Sequence, residues 1–587
     1  MLPVPTICNG DYEFLNVASP NNMQRRWPNA KPPIKPDLIT AMNFLVACAE
    51  CGEFEAAKQL LFDVDVQPSR LSQWELTPNI ALCSAYLTVC AKTGKFNEAY
   101  EFLNVASPNN MQRRWPNAEP PIKPNLITAT NFLVACAECG EFEAAKQLLF
   151  DVDGKFSWLS QWGLTPDIAL CSAYLTVCAK TGKFNEAYEF LNVASPNNMQ
   201  RRWPNAKPPI KPDLITATNF LVACAECGEF EAAKQLLFGV DGQPSWLSQW
   251  ELTPNIASCN AYLTVCAKTG KFNEAYEFLN VASPNNMQQR WPNAKPPIKP
   301  DLITAMNFLV ACAECGEFEA AKPLLFDVDG KSSWLSQWEL TPNIASCNAY
   351  LTVCAKTGKF NEAYEFLNVA SPNNMQRRWP NAEPPIKPNL ITATNFLVAC
   401  AECGEFEAAK QLLFDVDGQP SWLSQWGLTP NIALCNAYLT VCAKDKRLDE
   451  ALELVDKYIP DWGLKANHVT YSYLAVINLD QFEKILNMGI QAGLYYPSLG
   501  LVDGQLDFHV KKIFKLDLTP GAVPLAFAKA LFCYHYTKGE SKIKRIVTGF
   551  NLGQKLRDEF SQFLLSEFNL KSNVHVNNLG VIIIEQH

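Results

Sequence analysis

Histidine is nearly absent from this chain: 5 occur in 587 residues, and none precedes His468. The front of the chain therefore holds no Ser/His/Asp set and no His to complete a zinc site, which makes catalysis there improbable. Also lacking is any apolar run of the roughly 20 residues that spanning a bilayer takes. The start, Met1 to Glu13, has neither a basic region nor an apolar stretch, so no secretory leader is expected. An Arg- and Ser-rich transit peptide is missing too. The expected compartment is reducing, namely the cytoplasm, or an organelle if a transit peptide is missing from this chain. A positive net charge is lacking as well. The total of −9 argues against a protein that coats polyanions without selection. Residues 501–587 carry 11 Lys/Arg against 8 Asp/Glu, leaving 39 against 51 in the rest, so only the tail is basic.

What is abundant is repetition. The text FLNVASPNNMQRRWPNA begins at Phe14 and returns at Phe102, Phe190, Phe278 (there with Gln289 for the first Arg) and Phe366, a spacing of 88. Each 88-residue period has two related halves of 42 and 46 residues. Leu38 to Asn79 contains NFLVACAECGEFEAAKQLL, and Ile80 to Asn125 contains AYLTVCAKTGKFNEAYEFL. Phe44, Leu45, Cys48 and Cys51 share one helical face, and after Gly52 a second face holds Phe54, Ala57, Leu60 and Leu61. A glycine suits the end of the first helix, and Pro78 and Pro124 close their repeats where no helix continues. Helices this short bury their apolar faces only by stacking on neighbours. The expected fold is therefore mainly α, an α-solenoid of helix-turn-helix repeats. Of the 22 cysteines, 20 recur at fixed places in the repeats. Their helical spacing marks them as core residues rather than zinc ligands, and no metal site is expected in the array.

The pattern organises the chain into an N-terminal half-repeat (1–37), ten repeats (38–467), a degenerate repeat or linker (468–499) and a C-terminal domain (500–587). In the tenth repeat Lys446 replaces the turn glycine and Ala466 the closing proline. Between helices and closing prolines lie Trp- and Pro-rich stretches such as SWLSQWGLTP, expected to be loops.

Helix–Gly–helix units containing AYLTVCAKTGKFNEAYEFL and ending IKPN or LTPD resemble the pentatricopeptide repeat, as does the later HVTYSYL. The resemblance covers roughly four-fifths of the chain, although repeats of that family have about 35 residues. It implies a right-handed superhelix that binds single-stranded RNA, one base per repeat, to control its processing, stability or translation. A tetratricopeptide-like scaffold for protein partners is the neighbouring reading. In the resembled family the fifth and last residues of a repeat read the base. Here these pairs are Met42 with Asn79, Ser84 with Asn125, Thr130 with Asp167, Ser172 with Asp213 and Thr218 with Asn255. The later five are Asn260 with Asp301, Met306 with Asn343, Asn348 with Asn389, Thr394 with Asn431 and Asn436 with Asn467.

Within the first helices and at the repeat ends the differences between copies fall at these places, along with a Leu82/Ser258 change two residues earlier in the helix, while Glu53 and Glu55 stay fixed; the loop near Val66 to Arg70 and the Glu119/Lys207 position vary as well. Drift at tolerant surface sites is the bland alternative. With the family's parallel polarity and pair preferences, the expected RNA is 5′-NAGGAUNYAY-3′. The resemblance also assigns phosphate contacts to Lys92, Lys180, Lys268, Lys356 and Lys444, where alternate repeats carry Glu50, Glu138, Glu226, Glu314 and Glu402. Arg113 and Arg114 beside Trp115 would add a basic pair next to a stacking ring, if they do not simply form a solvated loop.

Residues 500–587 read as a small α/β domain that resembles the Smr domain. LDFH (Leu506 to His509) matches that family's LDxH, though Val510 stands where a glycine follows, and Thr548 and Gly549 open a TGxG that ends on Asn551. The resemblance implies an endonuclease with Asp507 and His509 as catalytic candidates, Thr548 and Gly549 at a phosphate-binding turn, and a divalent metal only if that activity survives. No other cofactor is expected.

Overall fold

The computed structural model describes residues 36–584 apart from several short stretches, the longest being 106–114, 194–202, 282–290, 370–378 and 514–524. The half-repeat at 1–37 lies almost wholly outside the described residues, as do Arg113, Arg114, His509, Thr548 and Gly549. The chain divides into two compact bodies, residues 1–254 and 255–587, and the division falls between two repeats.

Both bodies are built from tandem helix pairs. In the first repeat Leu38–Cys51 and Phe54–Leu61 are the two helices, and Ile80–Lys92 with Phe96–Val105 form the next pair. The first helix of an odd repeat ends at a glycine in the left-handed region: Gly52 has φ +76°, and its N–H donates to the Cys48 carbonyl. A side chain there is strained, yet in the tenth repeat Lys446 holds the matching place at φ +56°. First helices of successive repeats pack side by side within each body. Their interface is made of small and medium residues (Ala, Cys, Leu) that let the backbones approach closely. Leu45, Leu82, Cys83, Leu87 and Cys90 are all buried there.

The second helices close the other side with rings. Tyr86 is buried against Phe54, Phe62 and Phe102, with centroids 6.1, 5.2 and 5.3 Å away. The expected face Phe44, Leu45, Cys48 and the face Phe54, Ala57, Leu60, Leu61 are buried, whereas Cys51 is half-exposed and disulfide-bonded, a departure from the reading of all these cysteines as core thiols. The thiols of Cys83 and Cys90 are pushed up to about 12 by burial, so they are inert core groups rather than metal-ligating thiolates.

The Trp-rich stretches are not plain loops. Ser69 and Ser157 cap one-turn helices, Arg70–Gln73 and Trp158–Gln161, and Asp63 and Asp151 accept the N–H of those serines. Trp158 then packs on Tyr100 of the preceding repeat and Phe132 of its own, at 5.3 and 5.6 Å. The residues added after the second helix thus extend the aromatic core, which their tryptophans made legible only once the ring partners were known.

At the end of the second body, helices His468–Ile477 and Phe482–Gln491 form the shortened last pair. A five-stranded mixed sheet follows, with β1 Leu501–Val502, β2 Gln505–Asp507, β3 Arg545–Val547, β4 Ser572–His575 and β5 Asn578–Ile584 in the order β1-β2-β3-β5-β4. The β2–β3 pair is parallel, joined by a crossover that includes helix Leu525–Lys538, and the other pairs are antiparallel.

Candidate nucleic-acid interface

The last residue of each repeat is also the N-cap of the next first helix. Asn79 accepts the Leu82 N–H at 3.0 Å, Asp167 that of Leu170 at 2.8 Å, and Asn255 that of Ser258 at 2.9 Å. Asn125, Asp213, Asp301, Asn343, Asn389, Asn431 and Asn467 do the same, each through Oδ1. The sequence reading missed this role, although Asp or Asn immediately before the first residue of a helical apolar pattern is an N-cap signature. Capping explains why the position is Asn or Asp. It does not explain the choice between them, because the two cap about equally well. What the choice alters is the atom left over: an acceptor Oδ2 on Asp, a donor Nδ2 on Asn.

In three even repeats the fifth residue lies beside that cap. In the second body Asn260 Nδ2 is 3.2 Å from Asp301 Oδ1, Asn348 Nδ2 is 3.4 Å from Asn389 Oδ1, and Asn436 Nδ2 is 3.4 Å from Asn467 Oδ1. Residues 41, 41 and 31 apart in sequence are thereby brought together. Ser84 and Ser172 instead share hydrogen bonds with Thr128 and Thr216, at 3.3 and 3.2 Å. In odd repeats Thr130, Thr218 and Thr394 turn their hydroxyls onto carbonyls of their own helices, those of Leu126, Leu214 and Leu390. Met42 and Met306 are half-buried. The fifth residue of even repeats is held from behind as well, since Asn131 and Asn307 donate to the carbonyls of Ser84 and Asn260.

Along each first helix the second, fifth, ninth and thirteenth residues share a face, by i,i+3 and i,i+4 spacing. In the odd repeats that face reads Ile39, Met42, Val46, Glu50, and in the even ones Ala81, Ser84, Thr88, Lys92. Ile39, Ile127, Ile215, Ile303 and Ile391 stand out into solvent, 55–69% exposed. Sequence reasoning overlooked these isoleucines. Their signal was an apolar residue kept in every odd repeat off the buried stripe.

The five lysines expected to face phosphate lie at the far end of this ribbon, and their surroundings differ from the expectation. Lys92, Lys180, Lys356 and Lys444 each pair with a glutamate of the preceding odd repeat: Glu50, Glu138, Glu314 and Glu402. The Lys180 and Lys444 pairs measure 2.6 and 2.7 Å, and all four pairs are substantially exposed. The glutamates therefore neutralise the lysines directly rather than merely alternating with them. Trp115 also departs from the expected role, because its ring packs 6.0 Å from Phe62 on the protein itself. Of the catalytic candidates only Asp507 is described, at the end of β2 opposite Val547 of β3.

No family model matches the sequence, and no curated protein does. Solved structures similar to the chain include the pentatricopeptide repeat protein PPR10 from maize, at 16% identity over 84% of this chain and 73% of that one, with a TM-score of 0.28. PPR10 in complex with an 18-nt psaJ RNA element is another, at 13% identity over 94% of this chain and 88% of that one, with a TM-score of 0.29.

Proposed function

We propose that the chain binds single-stranded RNA sequence-specifically, one base per repeat, and so controls the processing, stability or translation of its target. The observation that carries this reading is the meeting of fifth and last residues at one spot in each of three repeats, Asn260 with Asp301, Asn348 with Asn389 and Asn436 with Asn467. Each last residue spends one side-chain atom on capping and has a second for a base edge. A carboxylate oxygen there selects a base presenting an N–H, G or U, and an amide nitrogen serves A or C. The exposed isoleucines at the second position supply apolar surface against which a base face packs, alternating with Ala81 and its copies. Lys92, Lys180, Lys268, Lys356 and Lys444 supply the backbone contacts, four of them on exchange of a glutamate for a phosphate.

The target read from the ten pairs is 5′-NAGGAUNYAY-3′. Binding competition at fixed salt against the same RNA with both G residues changed to C tests it. A preference for the matched RNA by tenfold or more is expected, and equal affinities would sink the base-by-base reading.

A further inference from the structure

One side chain beside the reading pairs has no part in the scheme so far: the third residue of the following helix. In the second body it is Thr304, Thr392 or Thr470, and its hydroxyl takes different partners in different repeats. Thr392 donates to Asn348 Oδ1 at 2.7 Å, and Thr470 to Asn436 Oδ1 at 2.8 Å, both buried contacts. Thr304 instead turns to Asp301 Oδ1, at 2.9 Å. Asn260 Oδ1, at the place equivalent to the occupied oxygens of Asn348 and Asn436, is then buried without any hydrogen-bond partner.

The difference follows from the last residue. A hydroxyl bonds an ionised carboxylate more strongly than an amide oxygen. Where an asparagine fifth residue meets an Asp cap, as at Asp301, the carboxylate captures the threonine. Where it meets an Asn cap, the threonine stays 3.1 Å from the cap oxygen but donates more closely to the fifth residue. A buried acceptor left unmatched is costly, by an amount that a ligand N–H aimed at it would recover.

From this we infer that the threonine three residues after the cap is a third specificity-determining residue, positioning the fifth-residue asparagine and closing or opening its acceptor to the base. This rests on the base-reading proposal above. In the sixth repeat the open Asn260 oxygen adds to the Asp301 carboxylate, so the pair faces the base with acceptors and matches the N3–H of uracil. In the eighth and tenth repeats the threonine occupies the oxygen. The asparagine pair then offers mainly N–H groups, which suit the N3 and O2 acceptors of cytosine as well as the carbonyls of uracil. In the first body, where the fifth residue is serine, Thr128 and Thr216 meet Ser84 and Ser172 alike whether the cap is Asn125 or Asp213, so the switch belongs to repeats whose fifth residue is asparagine.

Valine replaces threonine with little change of shape but without the hydroxyl, and both Thr304→Val and Thr392→Val lose the same bond to the N-cap N–H. The full-length protein and these variants are titrated with RNAs differing only at the sixth or the eighth nucleotide. Thr392→Val should raise the uracil-to-cytosine affinity ratio at the eighth nucleotide at least fivefold, by freeing the Asn348 oxygen. Thr304→Val should leave the ratio at the sixth unchanged, and Thr392→Ser should behave as the parent. An unchanged ratio in Thr392→Val, whether or not overall affinity falls, overturns the inference while base reading stands. A parent protein indifferent to all four bases at both nucleotides overturns both.

Discussion

Asp167 and Asn255 occupy the same place two repeats apart, and both cap a helix through Oδ1. Replacing Asp167 by Asn therefore leaves the cap intact, and stability should hold within about 0.5 kcal/mol. The leftover atom changes from acceptor to donor, so the preference at the third nucleotide should move from G toward A, by roughly 1–3 kcal/mol on the scale of single-base discrimination. Fluorescence anisotropy with the two RNAs, alongside a thermal melt, checks both halves of the expectation. The lysine–glutamate pairs behave in the opposite way. Exposed pairs contribute about 0–1 kcal/mol each, so changing Glu50, Glu138, Glu314 and Glu402 to Gln should hardly alter the melt. Four released lysines should instead tighten binding to unmatched RNA and steepen the log–log salt dependence by up to about 3, at roughly 0.7 per phosphate on a single strand. An unchanged salt slope would show that these lysines do not meet the backbone.

The helix pair is held by residues that never reach the ribbon. Phe44 and Leu60 are 7% and 0% exposed, and Phe44→Ala or Leu60→Ala should create a cavity costing about 2–5 kcal/mol in chemical denaturation. Ile127, 63% exposed at the start of its helix, should tolerate Ala within about 0.5 kcal/mol yet weaken RNA binding if a base packs on it. Both helices were legible from the 3.6-residue spacing, and the turn glycine from its place between them. The one-turn helices such as Trp158–Gln161 were not, because four residues carry no periodicity and their stability comes from rings distant in sequence, Tyr100 of the preceding repeat and Phe132 of the same one. The pairs proposed to read bases came from resemblance. That their last residues cap the next helix was legible in the local spacing and still overlooked.

At the scale of the whole molecule, buried thiols repeat from one end of the array to the other. Cys83, Cys90, Cys178, Cys266, Cys347 and Cys442 are all pushed up to about 12 by burial, from an ordinary value of 9.0. The unfolded chain ionises these groups first, so it binds fewer protons than the folded chain above pH 9. Their contribution to stability is complete below pH 9 and is lost as pH rises toward 12. The melting midpoint should be flat between pH 7 and 8.5 and then fall, less steeply when Cys83, Cys178 and Cys266 are changed to Ala. A flat midpoint to pH 10.5 would contradict their burial.

Local spacing alone determined the helices, their caps and the turn glycines, because each depends on residues within a few positions. The repeat length was legible from the 88-residue recurrence of the text. Periodicity also settled that the helices must stack, since neither helix of a pair buries its apolar face alone. Which side chains meet across repeats was decided by the tertiary structure. Lys92 finds Glu50 42 residues away, and Asn260 finds Asp301 across 41. Thr392 turns to Asn348 where Thr304 turns to Asp301, a choice set by the Asn or Asp cap but open to Thr392 only because packing brings Asn348 of the preceding repeat within reach. A hydroxyl rotates toward the strongest acceptor within reach, and reach across repeats is set by packing.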